Sequence, residues 1–230
     1  MRVRAVFSSL LLLSAAACDA RTVTDCCSIG GDAGLRVVNA YTTPVDVLID
    51  GSVAASAVAA GAITTVTPTL GSHTVTLRPA GSALAGSAQS ITTAAGAVNT
   101  LAALRQSDGT VASATLDDTS DVVPTGATKV RVIHLAPNAG TLQVYRTQPD
   151  FASPTAWQIP FNYQTDLTSV SAPFYQSTVG SWEIRIWQTP ADASGWDTAP
   201  VRVTIPLASG EKKTVLILDQ AGGGVRIQLI

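Results

Sequence analysis

Apolar and polar positions alternate with a period of two through most of the chain after residue 34, the spacing of strands with one covered face and one wet face. Val45, Val47 and Ile49 alternate with Asp46 and Asp50, and Val75 and Leu77 alternate with Thr74, Thr76 and Arg78. Further on, Trp182, Ile184 and Ile186 alternate with Glu183, Arg185 and Trp187. The pattern predicts strands over 35–41, 45–49, 63–67, 73–78, 89–92, 98–105 and 111–116 in the first half, with turns between them and a hairpin at Asp50-Gly51. Residues 214–218 are continuously apolar after Thr214, which predicts a central strand covered on both faces.

The same phrase occurs twice. Residues 35–49, LRVVNAYTTPVDVLI, match residues 129–145, KVRVIHLAPNAGTLQVY: a β-branched run, a polar residue (Asn39, His134), a Pro-containing turn and a second alternating strand. Gly71-Ser72-His73-Thr74-Val75 lines up with Gly180-Ser181-Trp182-Glu183-Ile184, and residues 95–101 line up with 209–215. Matched landmarks in the same order read as a duplication. The expected organisation is a leader over 1–18, a flexible tether over 19–34, a β-sandwich domain over 35–116, a linker over 117–128 and a second β-sandwich domain over 129–230. The fold class is all-β, with two tandem immunoglobulin-like sandwiches. In the second copy the stretch 146–178, with Pro149, Pro154, Pro160 and Pro173, predicts a long, partly extended excursion rather than a helix.

Composition agrees with strands: charged residues are only 13% of the 230, and Thr, Ser, Ala, Val and Gly dominate. A formal charge of -2, with no basic stripe, excludes nucleic acid as the expected partner. Arg2 and Arg4, the apolar run 5–13 and the small residues before Cys18 form an export signal too short to span a membrane. Ala15-Ala16-Ala17-Cys18 resembles a bacterial lipobox, which makes Cys18 the expected lipidation site and a membrane the expected partner, with periplasmic or surface exposure. Ordinary cleavage after the alanines is the alternative. Cys26 and Cys27 read as exposed tether thiols. No metal and no cofactor are expected, and Asp117, Asp118 and Asp121 read as a solvated acidic linker in preference to a calcium site.

The repeated phrases resemble a bacterial envelope family called domain of unknown function 4397, over most of the chain after Gly34. The family motif runs Val-His-Ala-Ser-Pro-Asp-Ala-Pro, then Val-Asp-Val-Tyr and a Gly. The second copy keeps His134, Pro137 and Tyr145 but carries Asn138 and Gly140 in place of Asp and Pro, and the first copy has Asn39 in place of His. The resemblance implies secreted or lipid-anchored proteins built from tandem immunoglobulin-like sandwiches, and no established activity.

No reaction is legible in the residues. There is no Gly-x-Ser-x-Gly elbow, phosphate loop or dinucleotide fingerprint, and His73 and His134 read as structural, as turn hydrogen-bonders. Asp46 and Asp50 read as solvated. The aromatic distribution is the one suggestive feature: all four Trp lie in the second copy, while the first holds only Tyr41. Trp182 falls on the apolar phase and reads as core. Tyr145 and Trp187 fall on the outward phase of their strands, where a ring is either covered by another segment or stacks on a ligand. Tyr145, Trp157 and Trp187 are therefore the candidate ligand-binding residues. The function expected is a non-enzymatic envelope lipoprotein acting as an adhesion, scaffold or binding module with a protein or glycan partner. Carbohydrate or cell-wall recognition through the second copy is the alternative, and an envelope hydrolase comes third.

Overall fold

The computed structural model describes residues 33–83, 86–116, 122–148, 155–168, 171–188 and 201–230. These belong to one compact unit, residues 32–230, and among the described residues every helical or extended element is a strand. The first copy contributes β1 (Gly34–Ala40), β2 (Val45–Ile49), β3 (Ser52–Val58), β4 (Ile63–Val66), β5 (Gly71–Pro79), β6 (Ser87–Thr93), β7 (Val98–Arg105) and β8 (Val111–Leu116). The second contributes β9 (Ala127–Leu135), β10 (Leu142–Thr147), β11 (Thr155–Phe161), β12 (Tyr175–Thr178), β13 (Gly180–Gln188), β14 (Val201–Leu207), β15 (Lys212–Asp219) and β16 (Val225–Leu229).

The duplication is visible in the wiring. The first copy forms sheets of order β4-β1-β7-β8 and β3-β2-β5-β6, and the second forms β12-β9-β15-β16 and β11-β10-β13-β14, the same two orders with every strand eight later. In each copy one pair is parallel, β1 with β7 and β9 with β15. Each also carries a register shift at the same place, between β2 and β3 and between β10 and β11. Gly71 and Gly180, aligned in the sequence, open β5 and β13 with φ of 129° and 131°, a backbone region that side-chain-bearing residues avoid.

Parallel strands are stable where both faces are covered, and the packing meets that condition. Leu35 and Val37 of β1 and Leu101 and Ala103 of β7 point into the core of the first sandwich with Val45, Val47, Val75 and Leu77. The alternate residues Val38, Ala40, Ala102 and Leu104 point the other way, against Ile133, Leu135, Leu216 and Leu218 of β9 and β15. Val130, Val132, Val215 and Ile217 then face the core of the second sandwich with Val144, Ile184 and Ile205. Three apolar layers therefore separate four stacked sheets, and the two parallel-containing sheets lie inside. The continuous apolar run at 214–218 has this cause.

The chain between β11 and β12 fastens the two sandwiches together. Leu167 and Ala172 are buried in the middle layer. The Tyr163 hydroxyl accepts the Arg105 amide at 2.7 Å and donates to the Ala40 carbonyl at 3.2 Å; burial pushes its pKa up to about 12. Arg226 donates to the Gly61 carbonyl from the opposite sandwich. At Gly61, with φ of 72°, an added Cβ would lie 2.3 Å from the Asp219 carbonyl oxygen, so only glycine fits this close approach.

Two expectations need correction and a third is sharpened. The first copy has eight strands, not seven: β3, sequence SVAASAV, is rich in Ala and Ser and mostly exposed, so neither propensity nor alternation marks it. The partly extended excursion expected over 146–178 is more ordered than its prolines suggest: it holds two ladder strands, β11 and β12, which take the places of β3 and β4. Asp46 is not solvated. Its carboxylate accepts the Ala57 amide at 3.0 Å and the Gly81 amide at 3.2 Å, chiefly the first of which lowers its pKa, against the opposing effect of burial. Ala57 sits at the β-bulge with a φ of 49°, and the carboxylate takes up the amide that the bulge frees from the ladder.

Candidate functional site

The inward phase of β10 runs Leu142, Val144, Arg146, and that of β13 runs Ile186, Ile184, Trp182. Both lines leave the core at the same end of the second sandwich, so an arginine and a tryptophan stand at its mouth. The edge strands β11 and β12 supply the walls with Trp157, Tyr175 and Ser177. The Arg146 guanidinium carbon lies 5.3 Å from the ring centroid of Trp157 and 5.3 Å from that of Trp182, between two aromatic faces whose quadrupoles favour a cation. Trp182 is held by its indole N–H, which donates to the Thr178 carbonyl at 3.1 Å. Tyr175 meets Trp157 edge-on at 6.1 Å and 70°, and 40% of it is exposed. In front of Arg146 opens a cavity of about 320 Å³ lined by Arg146, Gln176, Ser177, Thr178 and Trp182.

The first sandwich lacks this arrangement. Ile49 stands where Arg146 does and His73 where Trp182 does. His73 is engaged at both ring nitrogens, Nδ1 with Asp50 at 2.7 Å and Nε2 with the Thr69 carbonyl at 2.9 Å. The Asp50 contact, first among its causes, raises the His73 pKa. With Nε2 facing a carbonyl, this pair has no proton acceptor left for a nucleophile.

The remaining candidates fall as follows. Tyr145 and Trp187 do lie on the outer phase of their strands, but they are only 7% and 6% exposed and pack edge-on against each other at 5.0 Å and 84°. Tyr145 donates its hydroxyl to Gln143 at 3.1 Å, and burial raises its pKa. These two rings are closed to a ligand in this conformation, so of the sequence candidates Trp157 alone lies at the cleft. Arg146, Trp182 and Tyr175 were missed as site residues. The legible signal was a charged residue continuing the apolar phase of β10. Cys18, Cys26, Cys27 and the three linker aspartates lie outside the described residues. Among the described residues no cluster of three or more His, Cys, Asp or Glu could hold a metal ion.

His134 and Asn39 do one job with different chemistry. Asn39 Oδ1 accepts the Tyr41 amide at 2.9 Å while its Nδ2 donates to the Thr43 and Val58 carbonyls at 3.0 and 2.8 Å. His134 Nδ1 accepts the Ala136 amide at 3.2 Å and its Nε2 donates to the Gly140 carbonyl at 2.8 Å. The carbonyl partner fixes the proton on Nε2, and burial, the largest cause, lowers the pKa of this imidazole. Both residues lock the turn between the first two strands of their copy.

The fold thus defines a class: an all-β protein made of two fused, duplicated sandwiches with an aromatic cleft on one of them. The model of the family described as Domain of unknown function (DUF4397) matches residues 33–145, the first sandwich with β9 and most of β10. A crystal structure described as CBMbc (family CBM26) from Eubacterium rectale Amy13K in complex with maltoheptaose is 14% identical, with 86% of this chain and 96% of that chain covered at a TM-score of 0.25. That superposition is too loose to bear on fold or ligand. No curated protein matches the chain.

Proposed function

We propose that the protein is a non-enzymatic binding module of the bacterial cell envelope, anchored to a membrane through a lipidated Cys18, and that the second sandwich binds a glycan in the cleft at Arg146. The observation that carries this reading is the cleft itself. Trp182 and Arg146 line about 320 Å³ of open space edged by Gln176, Ser177 and Thr178, with Trp157 against the guanidinium and Tyr175 edge-on to Trp157 beside it, the mixture of aromatic faces and orienting polar groups that suits the apolar face and hydroxyl rim of a pyranose. The equivalent mouth of the first copy offers Ile49 and an engaged His73, so the feature is an addition to the repeat and not a requirement of it. The anchor rests on the lipobox-like residues 15–18; acyl chains contribute about 0.8 kcal/mol per buried methylene.

The test is titration of the chain from Asp19 onward with a panel of cell-wall and capsular oligosaccharides, read by Trp fluorescence. A saturable change that Trp157→Ala abolishes and Trp187→Phe leaves in place is expected. A response that survives Trp157→Ala, or none from any glycan, would reject the cleft. In cells, Cys18→Ser is expected to block incorporation of a palmitate analogue and release the chain from the membrane fraction.

A further inference from the structure

We propose that the ligand of this cleft is an acidic saccharide, one whose pyranose carries a carboxylate, as a uronic acid does. The inference rests on the glycan reading of the same site. It starts from the position of Arg146, on the inward phase of β10 after Leu142 and Val144, where the first copy places Ile49. A cation in such a position is costly unless something meets its charge. The Trp157 and Trp182 rings meet the faces of the guanidinium, but its N–H donors point along its edge, in the plane, where a ring face does not serve them.

Three other cations have acids beside them: Arg78 has Asp46, Arg185 has Glu183 and Lys213 has Glu211. Among the described residues no carboxylate pairs with Arg146. The cavity in front of it is lined otherwise by Gln176, Ser177, Thr178 and Trp182, so nothing there repels an anion. A carboxylate matches the guanidinium fork in shape and takes two parallel hydrogen bonds from it. The sugar ring that bears it supplies an apolar face for the Trp182 ring that lines the cavity. Inorganic phosphate would satisfy the fork but leave the aromatic walls without a partner.

Calorimetry on the chain from Asp19 onward, with trigalacturonic acid and its fully methyl-esterified form as probes, separates the possibilities. The acid is expected to bind at least about tenfold more tightly than the ester, in keeping with a charge-assisted pair. The advantage should shrink at about 0.5 M salt as screening grows. Arg146→Gln should abolish the preference, so that the variant binds acid and ester alike, and Arg146→Lys, which keeps charge but loses the fork, should show a preference between that of Arg146→Gln and that of the unaltered protein. Equal binding of acid and ester by the unaltered protein overturns the acidic preference and leaves the glycan reading standing. Displacement of the acid by inorganic phosphate at equal concentration also overturns it, since the site would then recognise any anion. Binding of neither sugar rejects both readings. Should Arg146→Gln disturb folding, seen as a lost near-ultraviolet Trp signal, the comparison of acid, ester and salt on the unaltered protein still decides.

Discussion

Asn39 and His134 show one geometric task solved twice, and the two solutions respond differently to pH. Asn39 has no proton to gain. His134 is buried and neutral, with a pKa held below its usual value of 6.5, so an unfolded chain takes up a proton that the folded one refuses. Its contribution to stability is therefore complete above about pH 6.5 and is lost as pH falls from there toward the folded pKa. His73 has the opposite sign: its raised pKa gives a contribution that is full below about 6.5 and fades as pH rises through the folded value. Between pH 7 and 5 the denaturant midpoint of the unaltered protein should fall relative to that of His134→Asn, which keeps an acceptor for the Ala136 amide and in which His73 titrates as before. His134→Ala should be the less stable of the two, by about 1–3 kcal/mol for the orphaned turn groups. A gap between the unaltered protein and His134→Asn that stays constant with pH would show that His134 makes no such contribution.

At the scale of elements, the copies differ most where β11 meets β12. Four residues join β3 to β4, whereas 162–174 join β11 to β12. The longer segment sets Leu167 and Ala172 in the layer between the sandwiches, and Asp166 stiffens it by accepting from the Thr168 amide and the Ser171 hydroxyl at 3.0 and 2.6 Å. Leu167→Ala should cost about 2–5 kcal/mol, measured by urea denaturation. An effect below 1 kcal/mol would mean that the segment lies on the seam without holding it. Most strands were legible because Val, Ile and Leu alternate with Thr, Asp and Arg in β2, β5 and β13. β3 was not, since its Ala and Ser residues carry no strong preference, and β11 and β12 were hidden by the prolines around them. That edge strands tolerate such residues, having one side free of ladder hydrogen bonds, explains both failures. The cleft was half legible: Trp157 was named, but that Arg146 and Trp182 leave the core at one mouth depends on a register between β10 and β13 that spacing alone does not fix.

For the whole molecule, the two repeats are not beads on a string. Val38, Ala40, Ala102 and Leu104 are all buried against the second sandwich, so separating the copies exposes an apolar sheet face on each. Thermal unfolding should therefore be a single transition by calorimetry, with calorimetric and van't Hoff enthalpies in agreement. A fragment covering residues 33–116 alone should bind a hydrophobic dye or aggregate. Two resolved transitions, or a well-behaved isolated fragment, would show that the seam contributes little.

The parallel pairs also govern the order in which the chain can assemble. β1 is joined to β7 at a distance of 64 residues along the chain and β9 to β15 at 83, as between Arg36 and Thr100 or Arg131 and Thr214. A chain emerging from its N-terminus can pair β1 with β4 early, but the other edge of β1 stays open until the seventh strand has appeared, whereas neighbours such as β5 and β6 can zip as soon as they are made. Ring closures of that length slow a fold, placing it toward the millisecond-to-second range of topologies dominated by distant pairings. In the exported chain proposed above, the first strand of each repeat would keep one edge open until its parallel partner followed, an interval in which chaperones would have something to hold.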